Sequence, residues 1–104
     1  MSTTSEHVII WQFTVRLGHE ADFETAYGPN GEWAQLFALS ADYIGTVLLR
    51  NTAETRCYVT IDRWVSAASF RLFRAVQEAE YGALDAKCGE LTEAEVAFGS
   101  WMPV

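Results

Sequence analysis

The sequence is poor in cysteine, in basic residues and in long apolar runs. Its two cysteines, Cys57 and Cys88, lie far apart in the chain. Widely spaced cysteines without a secretory leader are expected as free thiols rather than a disulfide. Cys57 falls in a strand pattern and Cys88 in a helix pattern, so both are expected to be buried and inert, with reactivity as the alternative. Seven Lys and Arg stand against fourteen Asp and Glu, a formal net charge of −7, and the basic residues form no stripe. A surface of that sign repels phosphate backbones and anionic bilayers, which argues against nucleic acid or a membrane as partner. No stretch approaches the roughly 20 apolar residues of a membrane-spanning helix. The opening segment, Met1 to Glu6, is polar, is expected to be disordered, and lacks the basic start and apolar run of a signal peptide. The expected location is the cytoplasm.

Metal and phosphate chemistry find little support. There are two histidines, His7 before the first strand and His19 in a turn. Neither lies at ligand spacing from a cysteine or a carboxylate pair, so no metal site is expected. No glycine-rich loop sits between a strand and a helix; Gly28-Pro-Asn-Gly31 lies between helical pieces. No Ser/His/Asp arrangement can be argued from spacing.

What is present is an order of elements. Half of the 104 residues are hydrophobic and 13% are aromatic, enough for one folded domain spanning 1–104. His7 to Arg16 alternates, with Ile9, Trp11, Phe13 and Val15 on one side, as in a strand. Glu20 to Tyr27 reads as a short helix with an acidic first turn. Gly28-Pro-Asn-Gly31 breaks it, and Glu32 to Leu39 resumes with Trp33, Leu36 and Phe37 turned inward. Tyr43 to Arg50 and Arg56 to Trp64 form a hairpin around a polar loop. Ser66 is a helix N-cap. Behind it Phe70, Phe73, Gln77, Tyr81, Leu84 and Cys88 keep helical spacing, with Gly82 a possible interruption and Gly89 a C-terminal cap. Val96 to Trp101 closes the chain as a strand.

Strand, helix, strand, strand, helix, strand implies a ferredoxin-like α+β sandwich, a βαββαβ fold with a four-stranded antiparallel sheet. Two helices cover one face. The other, carrying Val8, Ile10, Gln12 and by expectation Tyr58 and Thr60, has nothing in the chain to cover it. An uncovered face of that kind marks an interface. Two such sheets face to face would make a homodimer, a dimeric α+β barrel.

The aromatics Trp11, Phe13, Tyr27, Trp33, Phe37 and Tyr81 should gather between sheet and helices. Two readings stand: they are core, or the broken first helix leaves a pocket in which they bind a small aromatic ligand. In the second reading Tyr27, Tyr81 and Trp33 supply polar groups. Arg63 steadies an oxyanion if it faces inward, and is a solvated or interface charge if it does not. Asp62 is an interface partner for an arginine across two sheets. Arg74 and Glu78, four apart, read as a surface pair.

From about Val8 to Trp101 the chain resembles the antibiotic biosynthesis monooxygenase family of the dimeric α+β barrel superfamily. The resemblance rests on Tyr27-Gly-Pro-Asn-Gly-Glu-Trp33-Ala-Gln-Leu-Phe37, Tyr43-Ile-Gly-Thr-Val-Leu-Leu-Arg50, Tyr58-Val-Thr-Ile-Asp-Arg-Trp64 and Tyr81-Gly-Ala-Leu-Asp-Ala-Lys-Cys88. It implies a cofactor-independent monooxygenase acting on an aromatic or quinol-type small molecule, with Tyr27, Tyr81 and Arg63 as candidate catalytic residues. The alternatives on the same fold are a non-catalytic binder or interaction protein, and a cyclase or isomerase. Haem-degrading relatives use an Asn on the first strand and a Trp and a His on the second helix. The matching positions here fall at Trp11, near Phe73 and near Tyr81 to Ala83, so haem degradation is not expected.

Overall fold

A computed structural model describes residues 5–104. Strand β1 runs from His7 to Val15. Helices α1, Glu20–Tyr27, and α2, Glu32–Phe37, follow. Strands β2, Tyr43–Arg50, and β3, Cys57–Trp64, make the hairpin. Helices α3, Ala67–Val76, and α4, Glu78–Cys88, lead through one 3-10 turn into β4, Thr92–Trp101. The sheet order is β2-β3-β1-β4, and every neighbouring pair is antiparallel. This is the ferredoxin-like α+β sandwich.

The turn between α1 and α2 depends on close backbone approach. A Cβ on Gly31 would collide with the carbonyl oxygens of Thr25 and Ala26. Only glycine lets the chain fold back this tightly, and the turn brings Tyr27 and Trp33 side by side at 6.0 Å. Ser66 caps α3: its Oγ accepts from Ser69 N at 3.0 Å, and Ser69 Oγ accepts from Ser66 N at 3.1 Å. This is a capping box with serine in place of the usual Glu or Gln.

Beyond α3 the helix bends at Gln77, not at Gly82, which sits inside α4. Gln77 leaves helical dihedrals (φ −104, ψ 28). Yet its N–H still reaches Phe73 O, and Tyr81 N–H reaches Gln77 O, both at 2.8 Å. The bonding register runs through the bend, so Phe73 and Cys88 both stay buried. The last strand also starts earlier than its apolar run, at Thr92, which pairs with Val15.

Register decides which residues meet the helices. Phe13 pairs with Tyr58, and Trp11 with Thr60, so β1 odd positions and β3 even positions share the helix-covered face. There Phe13, Val15, Tyr58, Thr60 and Trp64 are buried with Phe23, Tyr27, Trp33, Phe37 and Phe73 from the helices. The expected placement of Tyr58 and Thr60 on the open face is therefore corrected: they are 1% and 3% exposed. The open face of β3 instead carries Cys57, Val59, Ile61 and Arg63, opposite Thr14, Gln12, Ile10 and Val8. Val47 and Leu49 extend it on β2, beside Ile61 and Val59. On β4 Val96 and Trp101 continue it, beside Gln12 and Val8.

Both thiols are free. Cys88 is buried, and burial pushes its thiol up, which suppresses the nucleophilic thiolate. Cys57, expected inside, is only half-buried because its parity puts it on the open face. Of the segment expected to be disordered, residues 1–4 lie outside the described residues. Glu6 forms an ion pair with Arg63 Nε at 2.5 Å. Among the described residues no helix is long and apolar enough to cross a membrane.

Candidate functional site

A cavity of about 60 Å³ opens between the sheet and the helices. Strand β1 supplies Trp11 and Phe13, α1 supplies Tyr27, α2 supplies Trp33 and Phe37, and α4 supplies Tyr81. All six aromatics expected to gather there do line it. Their rings form a connected wall: Phe13 to Tyr27 at 4.9 Å, Tyr27 to Trp33 at 6.0 Å, and Trp33 edge-on to Tyr81 at 4.9 Å. Such tilted contacts suit the ring quadrupoles and hold the wall stiffly.

The polar lining differs from expectation. Arg63 is not there. It sits on the opposite face of the sheet, bound to Glu6, because β3 odd positions point away from the helices. Its neighbour Asp62 has the opposite parity and enters the cavity, so it is not an interface partner on the open face. Thr46 Oγ1 donates to Asp62 Oδ1 at 2.7 Å, and Tyr43 Oη lies 2.5 Å from Thr46 Oγ1. A hydroxyl has one proton, and that of Thr46 is committed to Asp62, so Tyr43 donates to Thr46. Thr46 makes the one side-chain hydrogen bond that Asp62 has among the described residues. Burial pushes the Asp62 carboxyl up to about 6, and the Thr46 bond opposes that rise.

Two further carboxylates, Asp85 of α4 and Glu95 of β4, line the cavity at exposed positions and mark its mouth. Thr60 completes the floor. The tyrosines behave differently from Asp62. Burial pushes the Tyr27 hydroxyl far up, and burial also raises Tyr81 against the opposing pull of Arg74. Both remain neutral phenols at ordinary pH. Arg74 stacks on the Tyr81 ring, 3.7 Å from its centroid, so its expected pairing with Glu78 gives way to a cation–π contact across the Gln77 bend. Trp33 Nε1 is buried without a well-aligned hydrogen bond. Among the described residues no three His, Cys, Asp or Glu are grouped to hold a metal ion.

Thr46, Thr60, Asp62, Asp85 and Glu95 were not among the expected site residues. A signal for Asp62 and Thr60 existed. They share strand parity with Trp64 and Tyr58, the large aromatic residues of β3. Asp85 and Glu95 carry no such signal, since both look like ordinary surface carboxylates.

Comparison of the sequence with protein-family models and with curated proteins gives no match. Solved structures do match. SnoaB, a cofactor-independent oxygenase from Streptomyces nogalater, superposes with TM-score 0.78 at 24% identity, covering 97% of this chain and 95% of that one. A candidate antibiotic biosynthesis monooxygenase from Bordetella bronchiseptica gives TM-score 0.74 at 22% identity, covering 97% and 99%. PA3566 from Pseudomonas aeruginosa gives 0.70 at 13% identity over 100% and 99%. These matches span nearly the whole of both chains, and the fold is that of the antibiotic biosynthesis monooxygenase-like structures.

Proposed function

We propose that this protein is a cofactor-independent monooxygenase acting on a phenolic or quinol-type aromatic, with Asp62 as its general base. The observation that carries this reading is one half-buried carboxylate, tuned to about 6 and held by Thr46, at the edge of an aromatic-walled cavity. A base of that strength is ionised at neutral pH yet basic enough to accept a proton. The likeness in fold to SnoaB supports oxygen chemistry on this scaffold.

The steps balance without an added reductant. Asp62 takes a proton from an activated ring CH₂ of an anthrone-type substrate. The resulting carbanion gives its electrons to O₂, and a C–O bond forms as a peroxide anion. Asp62 returns its proton to the terminal oxygen. Loss of the second C–H proton with O–O cleavage leaves a ring carbonyl, and the departing hydroxide becomes water. Substrate CH₂ and O₂ become C=O and H₂O. The protein binds, takes and returns a proton, and shields the carbanion from water. Tyr27 and Tyr81, as neutral phenols, serve as hydrogen-bond donors to the ring oxygens. A cavity of about 60 Å³ is small beside the roughly 300–1,000 Å³ of typical small-molecule sites, so the mouth at Tyr81, Asp85 and Glu95 must open to admit a polycyclic ring.

The apolar open face, with Val47, Leu49, Val96 and Trp101 between 43% and 57% exposed, supports a homodimer closed sheet to sheet. The small cavity volume favours a second reading, a non-catalytic binder. A base in an aromatic-walled site also suits a cyclase or isomerase. Oxygen uptake separates them. With dihydroxyanthrone and no added cofactor the protein should consume O₂, and Asp62→Asn should slow this by about 100-fold or more. Full activity in Asp62→Asn would remove the assigned base. Turnover without oxygen would select the isomerase, and absence of turnover across a panel of phenols and quinols would select the binder.

A further inference from the structure

We infer that the cavity selects an uncharged hydroxylated aromatic and rejects the same ring skeleton bearing a carboxylate. This rests on the functional reading above and names its substrate class. The argument comes from the charges that a ligand meets. The cavity is placed by its aromatic walls, and every ionisable side chain that lines it at neutral pH is an acid or a neutral phenol. Asp62 stands inside, and Asp85 and Glu95 stand at the mouth. No Lys, Arg or His is among the lining residues.

The nearby cations do not reverse the sign. Arg74 lies over the Tyr81 ring, where it is solvent-exposed and offsets at most one of the three carboxylates. Lys87 is engaged by Glu32 at 2.8 Å. Arg63 is on the other side of the sheet with Glu6. The formal charge of −7 adds a repulsive approach field.

A neutral phenol meets no such opposition. One Asp62 oxygen is taken by Thr46, which leaves the other for the proton transfer assigned above. The ring lies against the aromatic wall. A carboxylated analogue must bring its charge within a few ångströms of like charges in a partly desolvated space, where repulsion is screened far less than in bulk water. Discrimination of at least about tenfold follows.

The test is anaerobic, so that no turnover intervenes, and it uses the full chain at pH 7. Quenching of tryptophan fluorescence reports occupancy, since Trp11 and Trp33 line the cavity. The two probes are dihydroxyanthrone and a dihydroxyanthrone carboxylic acid. The neutral compound should bind at least about tenfold more tightly. The gap should shrink severalfold in Asp85→Asn/Glu95→Gln, and in wild-type protein as salt rises from about 20 to about 500 mM. Equal or tighter binding of the carboxylate would overturn the inference while leaving the phenol reading intact. So would a gap unmoved by both salt and the double substitution. If neither compound quenches, the functional reading fails and this one with it.

Discussion

Thr46 on β2 donates its hydroxyl to Asp62 on β3 across a paired register position, at 2.7 Å. The bond links two adjacent strands on their helix-covered face and holds the carboxylate at the cavity. It also limits how far burial can raise the Asp62 pKa, because a donor stabilises the charged form. Tyr43, which donates to Thr46, fixes the direction of that hydroxyl.

Thr46→Val keeps the shape and removes the donor. Asp62, already at about 6, should then titrate roughly one pH unit higher. The acid limb of the activity profile should move with it. Carboxyl NMR of the ligand-free protein measures this directly. An unmoved titration would show that the bond does not tune Asp62.

Asp62→Asn should stabilise the fold at neutral pH while slowing oxygen uptake. The Asp62 pKa is raised from 3.8 to about 6 on folding. Between those values the native state holds a proton that the unfolded chain has lost, so this group's contribution falls as pH rises through that window. The loss is on the order of 2–3 kcal/mol above the folded pKa. Urea titrations at pH 4 and pH 7.5 should show the variant gaining relative to wild type only at the higher pH. An equal effect at both values would contradict the assigned shift.

Gly31→Ala should destabilise by about 1–3 kcal/mol, because the added methyl meets the Thr25 and Ala26 carbonyls rather than a yielding side chain. The midpoint of urea unfolding should fall with little change in slope. A neutral result would mean that the turn between α1 and α2 can relax, and that the Tyr27–Trp33 wall is less rigid than its geometry implies.

Leu49→Lys tests the sheet-to-sheet homodimer. Leu49 is 51% exposed on the open face, so a single chain should tolerate the change. Wild-type protein should sediment at about twice the chain mass at micromolar concentration, and the variant at about the chain mass. A wild-type monomer with the same fold would refute the barrel.

The aromatic cluster was legible in the sequence because large rings at strand and helix spacing have few places to go but inward. Trp11, Phe13, Tyr27, Trp33, Phe37 and Tyr81 meet at one cavity as their spacing implies. The bend at Gln77 was not legible, since helical spacing runs unbroken through it and Gly82 is the more obvious weak point. The Arg74 stack on Tyr81 depends on that bend and was hidden with it.

By itself the sequence determined which segments are strands and helices, where Ser66 starts a helix, and that Gly28 to Gly31 must turn the chain. Those are local matters of periodicity, capping and backbone freedom. Only the tertiary structure decided which side of β3 the helices cover. One parity holds Cys57, Val59 and Ile61 with Arg63, and looks the more aliphatic. The other holds Tyr58, Thr60, Asp62 and Trp64. Alternation defines two faces without saying which is inside, and hydropathy here favours the wrong one. The pairing of Phe13 with Tyr58 settles it, since a strand's facing follows from its neighbour's register. That single non-local choice carries Asp62 into the cavity and Arg63 out of it.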